Sequence, residues 1–130
     1  MFKKIFFTLV LSLGFGSLAQ ADDSHLSKQF TVCVDEAAGV TSSTVDCIAA
    51  ETKRQDLRLN QAYKNLIETL TPSRKQELLD IQRLWIKFRD ANCNFYYDPD
   101  GGSIVRVLSA NCVMDMTAER AGELENFLKY

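Results

Sequence analysis

The twelve residues from Gln82 to Cys93, Gln-Arg-Leu-Trp-Ile-Lys-Phe-Arg-Asp-Ala-Asn-Cys, constrain this chain more than any other stretch. They read as a helix that carries a cation on its apolar face. At about 100° per residue with Gln82 at zero, Leu78, Trp85, Arg89 and Cys93 fall at about −40°, −60°, −20° and +20°. Arg83, Lys87 and Asp90 fall on the opposite side. Arg89 thus lies inside the apolar arc, where an unpaired charge is costly, so the fold has to bring it a partner.

Two further segments repeat the pattern. With Asn60 at zero, Leu59, Tyr63, Leu66, Ile67 and Leu70 lie between about −120° and −20°, and Asp56 falls inside that arc at about −40°. Arg120 shares a face with Val113, Met116, Leu124 and Phe127. One acid, two guanidiniums and two amides can satisfy one another through charge-assisted hydrogen bonds. The expectation is a buried or half-buried cluster of Asp56, Asn60, Gln82, Arg89 and Arg120 with Asp56 at its centre. If that cluster is buried, removing one member strands a charge at a cost of about 3–5 kcal/mol.

The N-terminus bears on compartment. Lys3 and Lys4 precede an apolar run from Ile5 to Leu18, and Ala19-Gln20-Ala21 is a small-x-small cleavage site. Residues 1–21 therefore read as a secretory signal peptide, too short for a comfortable membrane span. No cysteine stands at the cleavage point, so no lipid anchor is indicated, and no membrane insertion is expected after cleavage. The mature chain from Asp22 forms one domain, 22–130, with a single modest core. Loss of Lys3 and Lys4 leaves 13 basic against 17 acidic residues, a net charge of −4. That balance disfavours nucleic acid and anionic membrane, and suits a basic protein partner or plain solubility.

All four cysteines, Cys33, Cys47, Cys93 and Cys112, lie in the mature part. An even count in a small exported domain points to two disulfides. Three pairings are possible. Cys33–Cys47 with Cys93–Cys112 is favoured, because each bond would staple two neighbouring elements, adding roughly 3 kcal/mol by loop entropy. Zinc and redox-dithiol readings fail, since there is no C-x-x-C and His25 is the one histidine.

Punctuation along the chain sets the elements. Residues 22–26 read as a frayed leader. A short helix covers about 27–38 and ends at Gly39. Thr41-Ser42-Ser43 reads as a turn, with Ser43 and Asp46 as a capping box for a long helix to about Leu70. Thr71-Pro72 restarts a helix, threonine as N-cap and proline at the first position, that runs to about Cys93. Asp98-Pro99-Asp100-Gly101-Gly102 breaks any regular element. A last helical region spans about 103–128, with an interruption near Asp115. The fold class is therefore all-α: a small bundle built on two long antiparallel helices, with a short N-terminal helix, a C-terminal helix laid across the pair, and two disulfides.

The motifs Asp56-x-x-Leu59-Asn60-x-x-Tyr63, Gln82-Arg83-x-Trp85-Ile86-x-Phe88-Arg89-Asp90-x-x-Cys93, Gly101-Gly102-Ser103, Cys112 and Thr117-x-x-Arg120-x-x-x-Leu124 occur in this order. In these residues the chain resembles the LprI-type lysozyme-inhibitor family, small exported bacterial proteins, over about Cys33 to Leu128. The resemblance implies a helical fold with paired cysteines and a lysozyme as partner. Unlike the member that gives the family its name, this chain has no lipobox cysteine.

Candidate sites follow from the same residues. The Asp56/Asn60/Gln82/Arg89/Arg120 set reads as structural, because ion-pair networks imitate active sites. No nucleophile–base pair, no second inward acid beside Asp56 and no histidine held by an acid is present. No enzyme activity, cofactor or metal is expected; Asp98-x-Asp100-Gly is only a fragment of a calcium loop. The segment Asn94–Ser103 offers Phe95, Tyr96, Tyr97, Asp98 and Asp100 as partner-contact residues. Two readings stay open: a rigid aromatic and acidic plug for a basic muramidase, or aromatics that cap the core beside a plain turn. At the level of function, the alternatives are an inhibitor that occludes a peptidoglycan-cleaving enzyme and a non-inhibitory structural or adaptor module of the envelope.

Overall fold

The computed structural model describes residues 25–130. The expected signal peptide 1–21 and the expected mature start at Asp22 lie outside the described residues. Four helices follow in order: α1 Lys28–Ala37, α2 Thr41–Thr69, α3 Pro72–Phe95 and α4 Ile104–Phe127. Among the described residues there is no strand. The all-α expectation and both favoured disulfides hold. Cys33 and Cys47 stand 5.7 Å apart at Cα, and Cys93 and Cys112 5.3 Å apart.

Local chemistry explains where the helices begin and end. Ser27 caps α1, its hydroxyl accepting from Phe30 N–H at 3.2 Å. Ala38 at φ 48° and Gly39 at φ 79° then turn the chain sharply. That turn leads straight into α2, so Thr41-Ser42-Ser43 is the first helical turn and not a separate loop. The expected Ser43–Asp46 capping box does not form. Val40 takes the N-cap position without a side-chain cap, and Thr44 donates its hydroxyl to Val40 O at 3.0 Å. The tight link closed by Cys33–Cys47 leaves no chain for an independent turn. Thr71 and Pro72 stand at N-cap and first helical position as expected, although the Thr71 hydroxyl makes no cap bond. Leu70 and Thr71 are both extended, and the ring of Pro72 disfavours a helical conformation at Thr71. The fourth helix passes Asp115 without interruption.

Register is set by pairs of residues on facing helices. Tyr63 and Asn60 face Gln82 and Ile86 across one cleft, so α2 and α3 are antiparallel. Cys93 bonds Cys112 and Gln82 meets Arg120, so α3 and α4 are antiparallel too. It follows that α4 runs parallel to α2. Val45 lies near Arg106 at one end, and Arg58 pairs with Glu125 towards the other.

Among the described residues the most extensive backbone packing is between α2 and α4, not between α2 and α3. Ala62 on α2 and Ala118 and Ala121 on α4 are buried there, and their small side chains permit the close approach. The C-terminal helix, expected to lie across the long pair, instead runs alongside α2. The core groups Leu59, Ala62, Leu66, Leu78, Ala121 and Leu124, with Tyr63, Leu70 and Trp85 packed against it. Thus α3 reaches α2 through long side chains, and that wider spacing leaves a cleft on one side and a cavity at the end.

Candidate functional site

The expected polar cluster divides into separate parts. Gln82 and Arg120 are buried, and Arg120 Nε donates to Gln82 Oε1 at 2.8 Å. Arg120 Nη1 donates to Glu123 Oε2 at 2.7 Å. Arg89 is half-buried: its Nε and Nη2 donate to Asp90 Oδ1 at 2.9 and 2.8 Å, and its Nη1 to Thr117 Oγ1 at 3.3 Å. Its guanidinium carbon lies 5.0 Å from the Trp85 ring centroid, a cation–π distance.

Asp56 is not the centre of these contacts. Both Asp56 and Asn60 are exposed. They line the α2–α3 cleft opposite Gln82, Trp85 and Arg89, but form no hydrogen bond with them. The acids that serve the guanidiniums are neighbours on the same helix, Asp90 and Glu123, because a side chain one or three positions away is reached at little entropic cost. Asp56→Ala should consequently melt within about 0.5 kcal/mol of the parent, as surface substitutions do. Thermal denaturation followed by circular dichroism checks this.

The deeply buried acid is Glu51, which the sequence reading did not single out. It is fully buried on α2. It accepts from Ser27 N–H at 2.8 Å, Ser27 Oγ at 2.5 Å, Gln55 Nε2 at 2.7 Å and Arg54 Nε at 2.6 Å. Burial pushes its pKa up, but the bonds from Ser27, Gln55 and Arg54 outweigh burial and hold it at about 2. Gln55 also donates to His25 O at 2.8 Å. His25, within the leader 22–26 expected to fray, is therefore tied to α2, as is Ser27 at the start of the first helix. The network continues: Arg58 Nη1 donates to Gln55 Oε1 at 3.0 Å, and Arg58 Nε and Nη2 grip both oxygens of Glu125 at 2.7 Å. This fork draws the Glu125 carboxyl below its ordinary range and ties α2 to α4. A signal was available. Ile48, Glu51, Gln55, Leu59, Ala62 and Leu66 recur at three- and four-residue steps, one helical stripe.

The loop after α3 carries the exposed aromatics. Phe95, in the last turn of α3, is 88 % exposed, and Tyr96 and Tyr97 are 48 % and 47 % exposed. They do not cap the core. Asp98 and Asp100 face solvent as well. The turn that follows is tightly built. Asp98 Oδ1 accepts from Asp100 N–H at 2.9 Å, and Asp98 O from Gly101 N–H at 3.0 Å. A Cβ on Gly101 would come within 2.2 Å of Val105 Cγ1, so this position admits only glycine without rearrangement. Gly102, at φ 71°, takes the left-handed conformation. Cys93–Cys112 and a bond from Ser109 Oγ to Cys93 O at 3.0 Å fasten the loop base. The stapled turn thus holds these aromatic side chains towards solvent.

Among the described residues, no group of three or more His, Cys, Asp or Glu side chains could hold a metal ion. No helix there is long and apolar enough to cross a membrane. A protein of Rhizobium meliloti (strain 1021) described as uncharacterized is 26 % identical over 98 residues, 64 % of this chain and 70 % of that one. No solved structure is significantly similar. The family model described as lysozyme inhibitor LprI matches residues 33–124. That span begins at the first cysteine, ends at the core residue Leu124, and takes in both disulfides, the α2–α3 cleft and the aromatic loop, so the chain belongs to the LprI lysozyme-inhibitor family.

Proposed function

We propose that this chain is an exported, non-catalytic protein that binds a basic peptidoglycan-cleaving enzyme and occludes its active site with the Phe95–Asp100 segment. Residues 1–21 act as the export signal, and the two disulfides suit the oxidising space outside the inner membrane. The observation that carries the reading is Phe95 at 88 % exposure, beside two half-exposed tyrosines on a disulfide-fastened loop. Burying one such ring in a partner's pocket is worth about 1.5–3 kcal/mol. The staple lowers the ordering cost of binding. Asp98 and Asp100 supply negative charge towards a basic cleft, which raises the association rate more than the affinity.

The test uses oxidised protein, residues 22–130, titrated in a bacterial-lysis assay against chicken-type, goose-type and invertebrate-type lysozymes. Saturable inhibition of one type with co-elution on a sizing column is the expected result. The combined change Tyr96→Ala, Tyr97→Ala and Asp98→Asn should then weaken inhibition at least about tenfold, the loss of one or two contact residues. Its melting temperature should stay at the parent value, since the amide oxygen of asparagine can still accept from Asp100 N–H. Inhibition that survives this change and also Phe95→Ala would move the binding face elsewhere. Failure to inhibit any type would leave the envelope-adaptor function.

A further inference from the structure

The α2–α3 cleft holds about 270 Å³, and no residue of the Phe95–Asp100 segment lines it. Its most buried polar group is Gln82, only 7 % exposed. The amide oxygen of Gln82 accepts from Arg120 Nε at 2.8 Å. A guanidinium can only donate, so this bond turns the Gln82 NH2 group away from Arg120. That NH2 group has no acceptor among the described residues. Nor is it sealed, because the one unpartnered side-chain nitrogen or oxygen there without surface of its own is Arg120 Nη2. Gln82 Nε2 therefore reaches open space, and Gln82 lines this cleft. On the facing wall Asp56 and Asn60 stand one helical turn apart, exposed and without hydrogen-bond partners among the described residues. Tyr63, Leu79, Trp85 and Ile86 supply apolar surface. Arg89 brings no free donor, since Asp90 and Thr117 engage all three of its nitrogens. Arg83 is mostly exposed at the rim, 3.7 Å from Asp80.

We propose that this cleft binds one sugar ring of a gluco-configured glycan, with Gln82 Nε2 donating to a hydroxyl on one edge and Asp56 and Asn60 gripping neighbouring hydroxyls on the other. The balance of donors and acceptors selects the ligand. A carboxylate would meet Asp56 with like charge, and an ammonium offers Gln82 no acceptor. A hydroxyl both donates and accepts, so it suits Gln82, Asp56 and Asn60 alike. Two polar groups one turn apart on one wall call for two adjacent partners, which vicinal hydroxyls provide and the single N–H of a peptide bond does not. A gluco-configured ring carries its hydroxyls around the rim and leaves apolar C–H faces for the surface of Tyr63 and Trp85. The volume is just below the range of about 300–1,000 Å³ that holds drug-sized molecules, which suits a single ring with the rest of the glycan outside. The site is separate from the aromatic loop, so it stands or falls independently of the inhibitor reading.

The experiment titrates chitotetraose, cellotetraose and, for comparison, trialanine into isotope-labelled oxidised protein, residues 22–130. It follows the side-chain NH2 signals of Gln82 and Asn60 and the indole N–H of Trp85, the single tryptophan of the chain. At least one saccharide should bind saturably and shift all three signals, with trialanine at least tenfold weaker. A preference for chitotetraose identifies an acetamido-bearing glycan as the source, and equal or tighter binding of cellotetraose a plain glucan; both uphold the proposal. Asp56→Ala should weaken saccharide binding about tenfold, the worth of a hydrogen bond to a charged group, while its melting temperature stays near that of the parent. Absence of a saturable shift with either saccharide, trialanine binding as tightly as the sugars, or saccharide binding undiminished in Asp56→Ala would each overturn the proposal. The comparison of the three ligands needs no variant, so it decides the matter even if Asp56→Ala folds poorly.

Discussion

Glu51→Ala should lower stability at neutral pH by roughly 3 kcal/mol, shifting the melting temperature down by on the order of 10–20 °C for a domain of this size. The carboxylate is fully buried and accepts four hydrogen bonds from Ser27, Gln55 and Arg54. Its pKa falls from an ordinary 4.5 to about 2 on folding. At about 1.4 kcal/mol per pH unit, that displacement sets the size of the effect. The sign follows from the direction of the shift. A carboxyl whose folded pKa is depressed contributes its full stability above its unfolded value and loses it as pH falls through the folded one. The parent should therefore weaken between about pH 4.5 and pH 2 through this group, and Glu51→Gln should remove that part of the acid dependence. Glutamine keeps the size but turns an amide N–H₂ towards the donors of Ser27 or Gln55. Urea unfolding at a series of pH values checks both variants. Hydrogen exchange adds a local readout, because the Ser27 amide should lose protection in Glu51→Ala. An acid limb unchanged in Glu51→Gln would refute the account.

The second large effect concerns the bond at the base of the loop. Replacing Cys93 and Cys112 together by serine should cost about 3 kcal/mol by loop entropy, for a closed segment of 19 positions. Cys93 is almost fully buried between α3 and α4, so a serine hydroxyl there adds a desolvation cost of about 1 kcal/mol or more. The consequence reaches beyond the global melt. Without the bond, Ser109 Oγ to Cys93 O is a remaining tie at the loop base, and the aromatics would sample many orientations. The proposed inhibition should weaken through faster dissociation, while Cys33→Ser/Cys47→Ser, which opens the α1–α2 link and leaves the loop base fastened, should lose comparable stability and keep its binding rate constants. Surface plasmon resonance against whichever lysozyme the lysis assay identifies separates the two pairs. Equal kinetic losses in both would mean that the disulfides act on stability alone.

Most of the chain's segmentation was legible before any coordinates. Gly39, Thr71-Pro72 and Asp98–Gly102 act through backbone torsions within a few residues, and helix boundaries obey such local forces. The cysteine pairing was readable for a related reason: each pair joins elements adjacent along the chain. Gln82 and Arg120 are buried and Arg89 half-buried, because each sits within a stripe of apolar residues that cannot all face water. One local signal misled. Ser43 and Asp46 look like a capping box, yet the tight Ala38-Gly39 link brings the helix in three residues earlier, with Val40 at the N-cap.

The identity of the buried acid was decided by tertiary packing. Asp56 and Glu51 lie about 140° apart on α2, and each borders an apolar stripe. The side that becomes interior depends on which neighbour comes closest. Once the small residues of α4 draw that helix against α2, the stripe through Ile48, Leu59, Ala62 and Leu66 closes around Glu51, while the wider α3 spacing leaves Asp56 in an open cleft. The exposure of Phe95 has the same origin. Its residue type favours burial, but α3 overruns Cys93 by two residues and carries the ring past the end of the core. Local sequence chemistry thus set the helices, their turns and the short-range bonds. Helix spacing, a property of how side-chain volumes meet across the whole bundle, chose which polar groups were enclosed and which aromatics were left facing solvent.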